Sequence, residues 1–217
     1  MSGARVGLLG GTFDPIHLGH LATARAAAAA LAFDRMLFIP SRVPPHRPDM
    51  PRASGYHRLQ MTALAVAETP GWEASDVELA RAGTSYTFDT LTTLRAGEPT
   101  SQFFFVTGAD AFAEIASWRR YPDVLDLAHF VVIARPGTSL ADLRGRLPDL
   151  ASRMRDDATP VAPFSGEPAT PAIFLVSAAT PDVSSTEIRR RAAEGRSLDG
   201  LVPPVIAAYI RQHGLYA

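Results

Sequence analysis

RVGLLGGTFDPIHLGH, running from Arg5 to His20, is the stretch that decides the fold. Val6 to Leu9 is a short apolar run bounded by glycines, the pattern of a buried strand. Gly10 and Gly11 allow a sharp turn and a close ligand approach, and Thr12 and Phe13 continue that turn. A helix opening near His17 or Leu18 would aim its free N–H groups at an anion, and phosphate suits that position. His17 and His20 are three apart and share a face at a helix start. Imidazoles there can donate to phosphate oxygens and offset developing charge. Gly19 leaves space between them where a flat base could lie. Packing is the ordinary role of a lone histidine, but this pair follows a strand and a Gly-Gly turn. A metal site is the weaker rival, because no HExxH pattern or Cys/His cluster is present; no metal ligands are assigned.

Outward from this segment, strands alternate with helices along the whole chain. Leu18 to Leu31 reads as a helix of strong formers, and Met36 to Ile39 as a second strand. Pro40 to Pro51 holds five prolines and reads as an exposed, semi-rigid loop. Gly55 to Glu68 has helical spacing through Leu59, Ala63 and Val66. Trp72 to Leu79 is expected as a strand, and Ser85 to Leu94 as a helix with a hydroxyl cap. Phe103 to Val106, Phe130 to Ala134 and Ile173 to Val176 are further strands. Between the first two, Phe112 to Leu127 holds short helices interrupted near Pro122. Arg144 to Pro171 reads as an irregular excursion with some helix, while Ser184 to Glu194 and Pro204 to His213 close the chain as helices. The alternation predicts an α/β fold, a doubly wound parallel sheet with helices on both faces. Ligands in such sheets bind beyond the carboxyl ends of the strands, so the post-strand segments should share one cleft. No repeat or linker stands out, and residues 1–217 are expected as a single domain, with the helices from about 184 packing on the sheet.

Composition narrows the partners. A chain of 217 residues with 47% hydrophobic and 20% charged content suits one good-sized globular domain. A net charge of −1 argues against a general nucleic-acid binder, so any basic site is local. Cysteine is absent, which removes disulfides and thiolate chemistry. Lysine is absent too, which removes Schiff-base and P-loop lysine chemistry. No signal peptide is read at the N-terminus, and Ala22 to Ala32 is too short to span a bilayer. A cytoplasmic protein without a membrane partner is expected. The sequence sets no oligomeric state, and a homo-oligomer is left open.

A second motif lies near residue 184. Ser184, Ser185 and Thr186 open a helix, where one hydroxyl can cap and the others can meet a phosphate. Arg189, one turn on, could reach the same anion bidentately. An ordinary N-cap with an acidic residue nearby is the plainer alternative.

GTFDPIHLGH and VSSTEIR together resemble the nucleotidylyltransferase superfamily, whose fold is Rossmann-like. PPHR at Pro44 to Arg47, the run from Asp76 through Glu78, Leu79 and Arg81 to Thr90-Leu91, GAD at Gly108 to Asp110, Trp118, and YIRQHGLY resemble its bacterial nicotinate mononucleotide adenylyltransferase branch. The resemblance runs from Val6 to Tyr216, except near Arg144 to Pro171. It implies adenylyl transfer from ATP to the 5′-phosphate of nicotinate mononucleotide, giving deamido-NAD and pyrophosphate, with Mg²⁺ and without a covalent enzyme intermediate. It assigns His17, His20, Arg47 and Arg189 to catalysis at the phosphates, with His20 nearest the α-phosphate. Gly10, Gly11, Thr12, Phe13, Gly19, Ser184, Ser185 and Thr186 are assigned to ATP, and Gly108 and Asp110 to its ribose. Thr84, Ser85, Tyr86, Thr87 and Trp118 fall to the nicotinate nucleotide, with Trp118 stacking on the pyridine ring and N–H groups near Tyr86 and Thr87 meeting the carboxylate. Trp118 as ordinary core is the rival role. Three departures are visible: Arg47 where lysine is common, Val183 for isoleucine, and Arg119 where several members carry an aromatic residue. Two alternatives share parts of the pattern: a phosphopantetheine-type adenylyltransferase or another adenylyl or cytidylyl transferase, and a nucleotide sensor without catalysis.

Overall fold

In the computed structural model the described residues are 3–45, 50–134, 140–156 and 171–217. Seven strands are present: β1 (Arg5–Gly11), β2 (Arg35–Pro40), β3 (Trp72–Ala74), β4 (Gln102–Gly108), β5 (His129–Ala134), β6 (Met154–Asp156) and β7 (Ile173–Ser177). They form one sheet in the order β3-β2-β1-β4-β5-β7-β6. The β1–β4, β4–β5, β5–β7 and β6–β7 pairings are parallel. The order runs outward from β1 in one direction to β3 and in the other to β6, as in a doubly wound α/β sheet. Val6 pairs with Phe103 and Leu8 with Phe105, so the most apolar runs of the sequence lie side by side at the centre. Strands this uniformly buried read as continuous apolar runs rather than alternating ones.

Helices α1 (Leu18–Leu31), α2 (Gly55–Val66), α3 (Val77–Ala80), α4 (Thr87–Gly97), α5 (Ala109–Ala113), α6 (Leu140–Arg146), α7 (Ser185–Ala193) and α8 (Pro204–Gln212) fill the connections. The bounds of α1 are those the alanine-rich sequence predicts, because Ala and Leu lose little on entering a helix.

Four expectations need correction. Trp72 to Leu79 is not one strand: β3 stops at Ala74 and α3 begins at Val77. Ser85 does not cap α4; its hydroxyl accepts from the Arg42 N–H (2.8 Å), and Tyr86 occupies the cap position with no side-chain bond. The buried face of α2 is Arg58, Met61, Thr62 and Val66, so the expected stripe through Leu59 and Ala63 is rotated. The excursion after Arg144 holds the expected helix, as the end of α6 and a 3₁₀ turn (Pro148–Arg153), but also strand β6, which was not expected.

The chain groups into two compact units interleaved along the sequence. One comprises Met1–Leu9, Thr23–Met36 and Tyr86–Thr180. Its core is aromatic: Phe104 lies against Phe33 and Phe174, and Phe130 lies against Phe105 and Phe112. The other comprises Gly10–Ala22, Leu37–Ser85 and Pro181–Ala217. There Phe38 meets Phe13 and Trp72, and α2 packs on α8. Among the described residues no helix is long and apolar enough to cross a membrane.

Candidate active site

The second unit contains both motifs that the sequence singled out. Gly10 and Gly11 complete β1 rather than turning the chain, which is a correction: neither has a positive φ. The turn is made one step later, by Phe13 (φ 49°) and a cis Asp14–Pro15 peptide. Gly11 is needed for a different reason. A Cβ there would stand 2.7 Å from the Phe13 ring, which folds back and is buried.

Helix α1 starts directly after this turn, and the two imidazoles stack at 3.6 Å between ring centroids, 24° from parallel. The His17 backbone N–H donates to His20 Nδ1 (3.3 Å). An accepting Nδ1 leaves the proton of the neutral ring on Nε2, so His20 presents a donor at its outer tip. Phe13 meets His20 edge-on at 4.9 Å and fixes that ring from the other side. His17 is buried, and His20 is partly exposed. Gly19 is buried, and a Cβ on it would lie 3.1 Å from the His17 ring and 3.4 Å from the Pro181 carbonyl oxygen.

Segments far apart in sequence meet here. Ser184 caps α7, its hydroxyl accepting from the Glu187 N–H at 3.2 Å. Ser185 Oγ donates to the Pro15 carbonyl (3.1 Å). Arg189 Nη1 donates to the Asp14 carbonyl (2.7 Å), and its Nη2 donates to Thr186 Oγ1 (3.2 Å). The first turn of α7 is therefore docked on the turn that follows β1, which places the hydroxyl cluster beside the histidine pair.

Asp14, Arg58 and Tyr216 are the residues that sequence reasoning missed. The buried Asp14 carboxylate accepts from the N–H groups of Arg52 (2.8 Å) and Ala53 (3.0 Å) and from the Tyr216 hydroxyl (2.8 Å). Arg58 is 2% exposed, and its guanidinium donates to the carbonyls of Thr12 and Ser41 (both 2.7 Å) and of Ala53 (3.2 Å). Burial lowers its pKa, while Asp14 and Tyr216 counter that shift. A charged residue in a helix whose neighbours Met61, Thr62 and Val66 are all buried was the available signal.

The other predicted residues are divided between the two units. Gly108 and Asp110 are exposed at the end of β4 and in the first turn of α5, and a Cβ on Gly108 would touch nothing within 4 Å. Trp118 is half-buried, its ring at 5.9 Å from Phe105 and 6.3 Å from Phe130, both at steep angles. Arg119 lies over the Tyr86 ring at 4.6 Å, and its Nε is 4.0 Å from an Asp89 oxygen. Tyr86, Thr87, Gly108, Asp110 and Trp118 are in the first unit; Thr84 and Ser85 are in the second. Arg47 lies outside the described residues. Among the described residues no group of three or more His, Asp or Glu is placed to hold a metal ion.

A cytidylyltransferase-like family model matches residues 8–191. Proteins named as nicotinate-nucleotide adenylyltransferases are similar over nearly the whole chain. The one from Thermus thermophilus is 41% identical, covering 98% of this chain and 99% of its own. The one from Roseiflexus is 40% identical over 100% of both chains. Among solved structures, the nicotinic acid mononucleotide adenylyltransferase of Plasmodium falciparum complexed with NaAD shares the fold, with a TM-score of 0.74 at 17% identity and coverage of 98% and 97%. The sheet order, the docked α7 and the full-length similarity lead to one conclusion: the chain belongs to the cytidylyltransferase-like nucleotidyltransferases, in the family of nicotinate-nucleotide adenylyltransferases.

Proposed function

We propose that the protein transfers the adenylyl group of ATP to the 5′-phosphate of nicotinate mononucleotide, giving deamido-NAD and pyrophosphate. A phosphate oxygen of the mononucleotide attacks the α-phosphorus of ATP, and the bond to the bridging oxygen of the β-phosphate breaks. The attacking phosphate is already ionised at neutral pH, so the chain has to align and neutralise rather than deprotonate. The observation that carries this is the stacked His17/His20 pair set against the N-terminus of α7.

In this reading His20 Nε2–H donates to the α-phosphate as negative charge grows there, and His17 supports it from the buried side. The N–H groups and hydroxyls of Ser184, Ser185 and Thr186 take the β- and γ-phosphates with Arg189, which has Nη2 beside Thr186. Gly10, Gly11, Thr12, Phe13 and Gly19 form the wall on which the nucleotide lies. Gly108, with open space where a Cβ would stand, and Asp110 receive the ribose. Trp118 offers the unpacked part of its ring to the pyridine, and the uncapped start of α4 at Tyr86 and Thr87 suits the carboxylate. Thr84 and Ser85 hold that segment, and Arg47 is assigned to phosphate on sequence grounds.

Mg²⁺ would arrive with ATP. The oxygens of Asp14, on the turn that seats α7, are engaged by two N–H groups and a hydroxyl. That donor set fits an ion held by phosphate oxygens and water, which needs no protein cage. Its chemistry there is to neutralise phosphate charge. The full 1–217 chain is taken to act as one nucleotidyltransferase domain in the cytoplasm.

Pyrophosphate release tests the proposal directly. Wild type with Mg·ATP is expected to release it with nicotinate mononucleotide and not with phosphopantetheine, and release only with the latter would refute the assignment. His20→Ala is expected to lower turnover about a hundredfold or more, on the scale of one lost transition-state donor, with an unchanged circular dichroism spectrum. Near-normal turnover would remove His20 from the mechanism.

A further inference from the structure

We infer that Tyr216 is a positioning residue for the nucleotide site, holding the Phe13–Pro15 turn through Asp14 so that Arg189 and Ser185 stand correctly against the two imidazoles. The inference rests on the function proposed above.

Asp14 is 4% exposed, and a buried carboxylate persists only if donors surround it. The cations nearby are turned to other acceptors. Arg58 gives its short bonds to the carbonyls of Thr12 and Ser41, and Arg189 gives its short bond to the Asp14 carbonyl, staying 3.8 Å from the carboxylate. Among the described residues the carboxylate's hydrogen bonds come from neutral donors, with Arg189 and Arg58 adding longer-range charge attraction, and the Tyr216 hydroxyl is the side-chain donor. Burial and the facing carboxylate push the Tyr216 pKa up, so the hydroxyl remains a donor at every physiological pH. Tyr216 itself adopts φ 68°, two residues on from Gly214 at φ 58°. A tyrosine in that region is strained and persists where its surroundings over-determine it.

What makes this a matter of catalysis is the other side of the same turn. The peptide of Asp14 supplies the carbonyl for Arg189, and the next residue, Pro15, supplies the carbonyl for Ser185. Asp14 thus faces Tyr216 with its side chain and the phosphate-binding helix with its backbone. Movement of the carboxylate would carry both carbonyls with it, and α7 would lose its seat beside His17 and His20.

Tyr216→Phe keeps the ring and removes only the hydroxyl. It is expected to lower kcat about tenfold and raise the KM for ATP several-fold, the scale of one charge-assisted hydrogen bond. The KM for nicotinate mononucleotide should stay within about twofold. Asp14→Asn combined with Tyr216→Phe should be no worse than Asp14→Asn alone, because both act through one bond. Measurements well below the unfolding midpoint separate this from lost stability. Wild-type kinetics in Tyr216→Phe, an equal loss toward both substrates, or additive effects in the double variant would overturn the inference. Binding of a non-hydrolysable ATP analogue to the full chain gives a readout independent of the acceptor. If wild type binds it but releases no pyrophosphate with nicotinate mononucleotide, the functional reading fails. Weaker analogue binding by Tyr216→Phe would still sustain the positioning role, and equal binding would end it.

Discussion

Gly19 sits between two opposing effects that a single methyl group would set against each other. Alanine inside α1 would favour the helix by about 1 kcal/mol on intrinsic propensity. The same Cβ would press on the His17 ring at 3.1 Å, with the Pro181 carbonyl at 3.4 Å closing the space on its other flank in van der Waals contact. The imidazole is the softer of the two, so it should yield and leave its stacked place on His20. Gly19→Ala is therefore expected to fold normally, with a melting temperature within a few degrees of wild type, and to lose about tenfold or more in turnover. Calorimetry and pyrophosphate release together check this; unchanged turnover would mean that the ring pair tolerates displacement. The HxGH spacing was legible in the sequence, and so was its helix-start setting. The reason for the glycine was not, because the Pro181 carbonyl approaches from a segment more than 150 residues away.

Among the elements, β5 carries a pH liability at its first residue. The His129 ring stacks on Phe104 at 4.7 Å, and its Nδ1 accepts from the Ala172 N–H at 3.0 Å. Burial first, then Arg5 and Arg153, lowers its pKa to about 4 from 6.5. A native pKa below the unfolded one means that the unfolded chain takes up a proton that the folded chain refuses. The associated stability is fully present above pH 6.5 and is lost as pH falls toward 4, by about 3 kcal/mol in total. Urea midpoints from pH 7.5 down to 4.5 should show that loss, and His129→Gln should flatten the profile. An equal slope in the variant would assign the pH dependence to other groups.

The same scale shows where sequence reading succeeds. The central strands and α1 were found where apolar runs and alanine dominate, because burial on both faces leaves no competing signal. Short elements escaped: β6 has three residues, of which only Met154 is buried, so no pattern marks it. The start of α4 misled because Ser85 prefers the Arg42 N–H to its own helix.

For the molecule as a whole, neither compact unit is a continuous piece of sequence: each gathers three separated segments. In the second unit Arg58 ties together Thr12 of the first segment and Ser41 and Ala53 of the next by three hydrogen bonds. Arg58→Met fills much of the same volume but leaves three carbonyls short of a donor, those of Ser41 and Ala53 buried and that of Thr12 partly so. A loss of about 3 kcal/mol or more in unfolding free energy is expected, read as a lower guanidinium midpoint. A change under about 1 kcal/mol would show that water replaces the guanidinium there. Which motifs would meet was legible from their chemistry, since both carry the residue types that suit a phosphate. The fasteners between them were not, because a buried arginine and a tyrosine hydroxyl announce no periodicity.

The tie between Asp14 and Tyr216 spans 202 positions, and this orders events during synthesis. The histidines leave the ribosome early, yet the groove they serve stays unfinished until residue 216 has emerged and docked. Prematurely terminated chains, or chains clipped by a protease just before Leu215, should keep most of their apolar core while making no dinucleotide. Such a dependence would protect a cell from nucleotide-consuming fragments of its own enzyme.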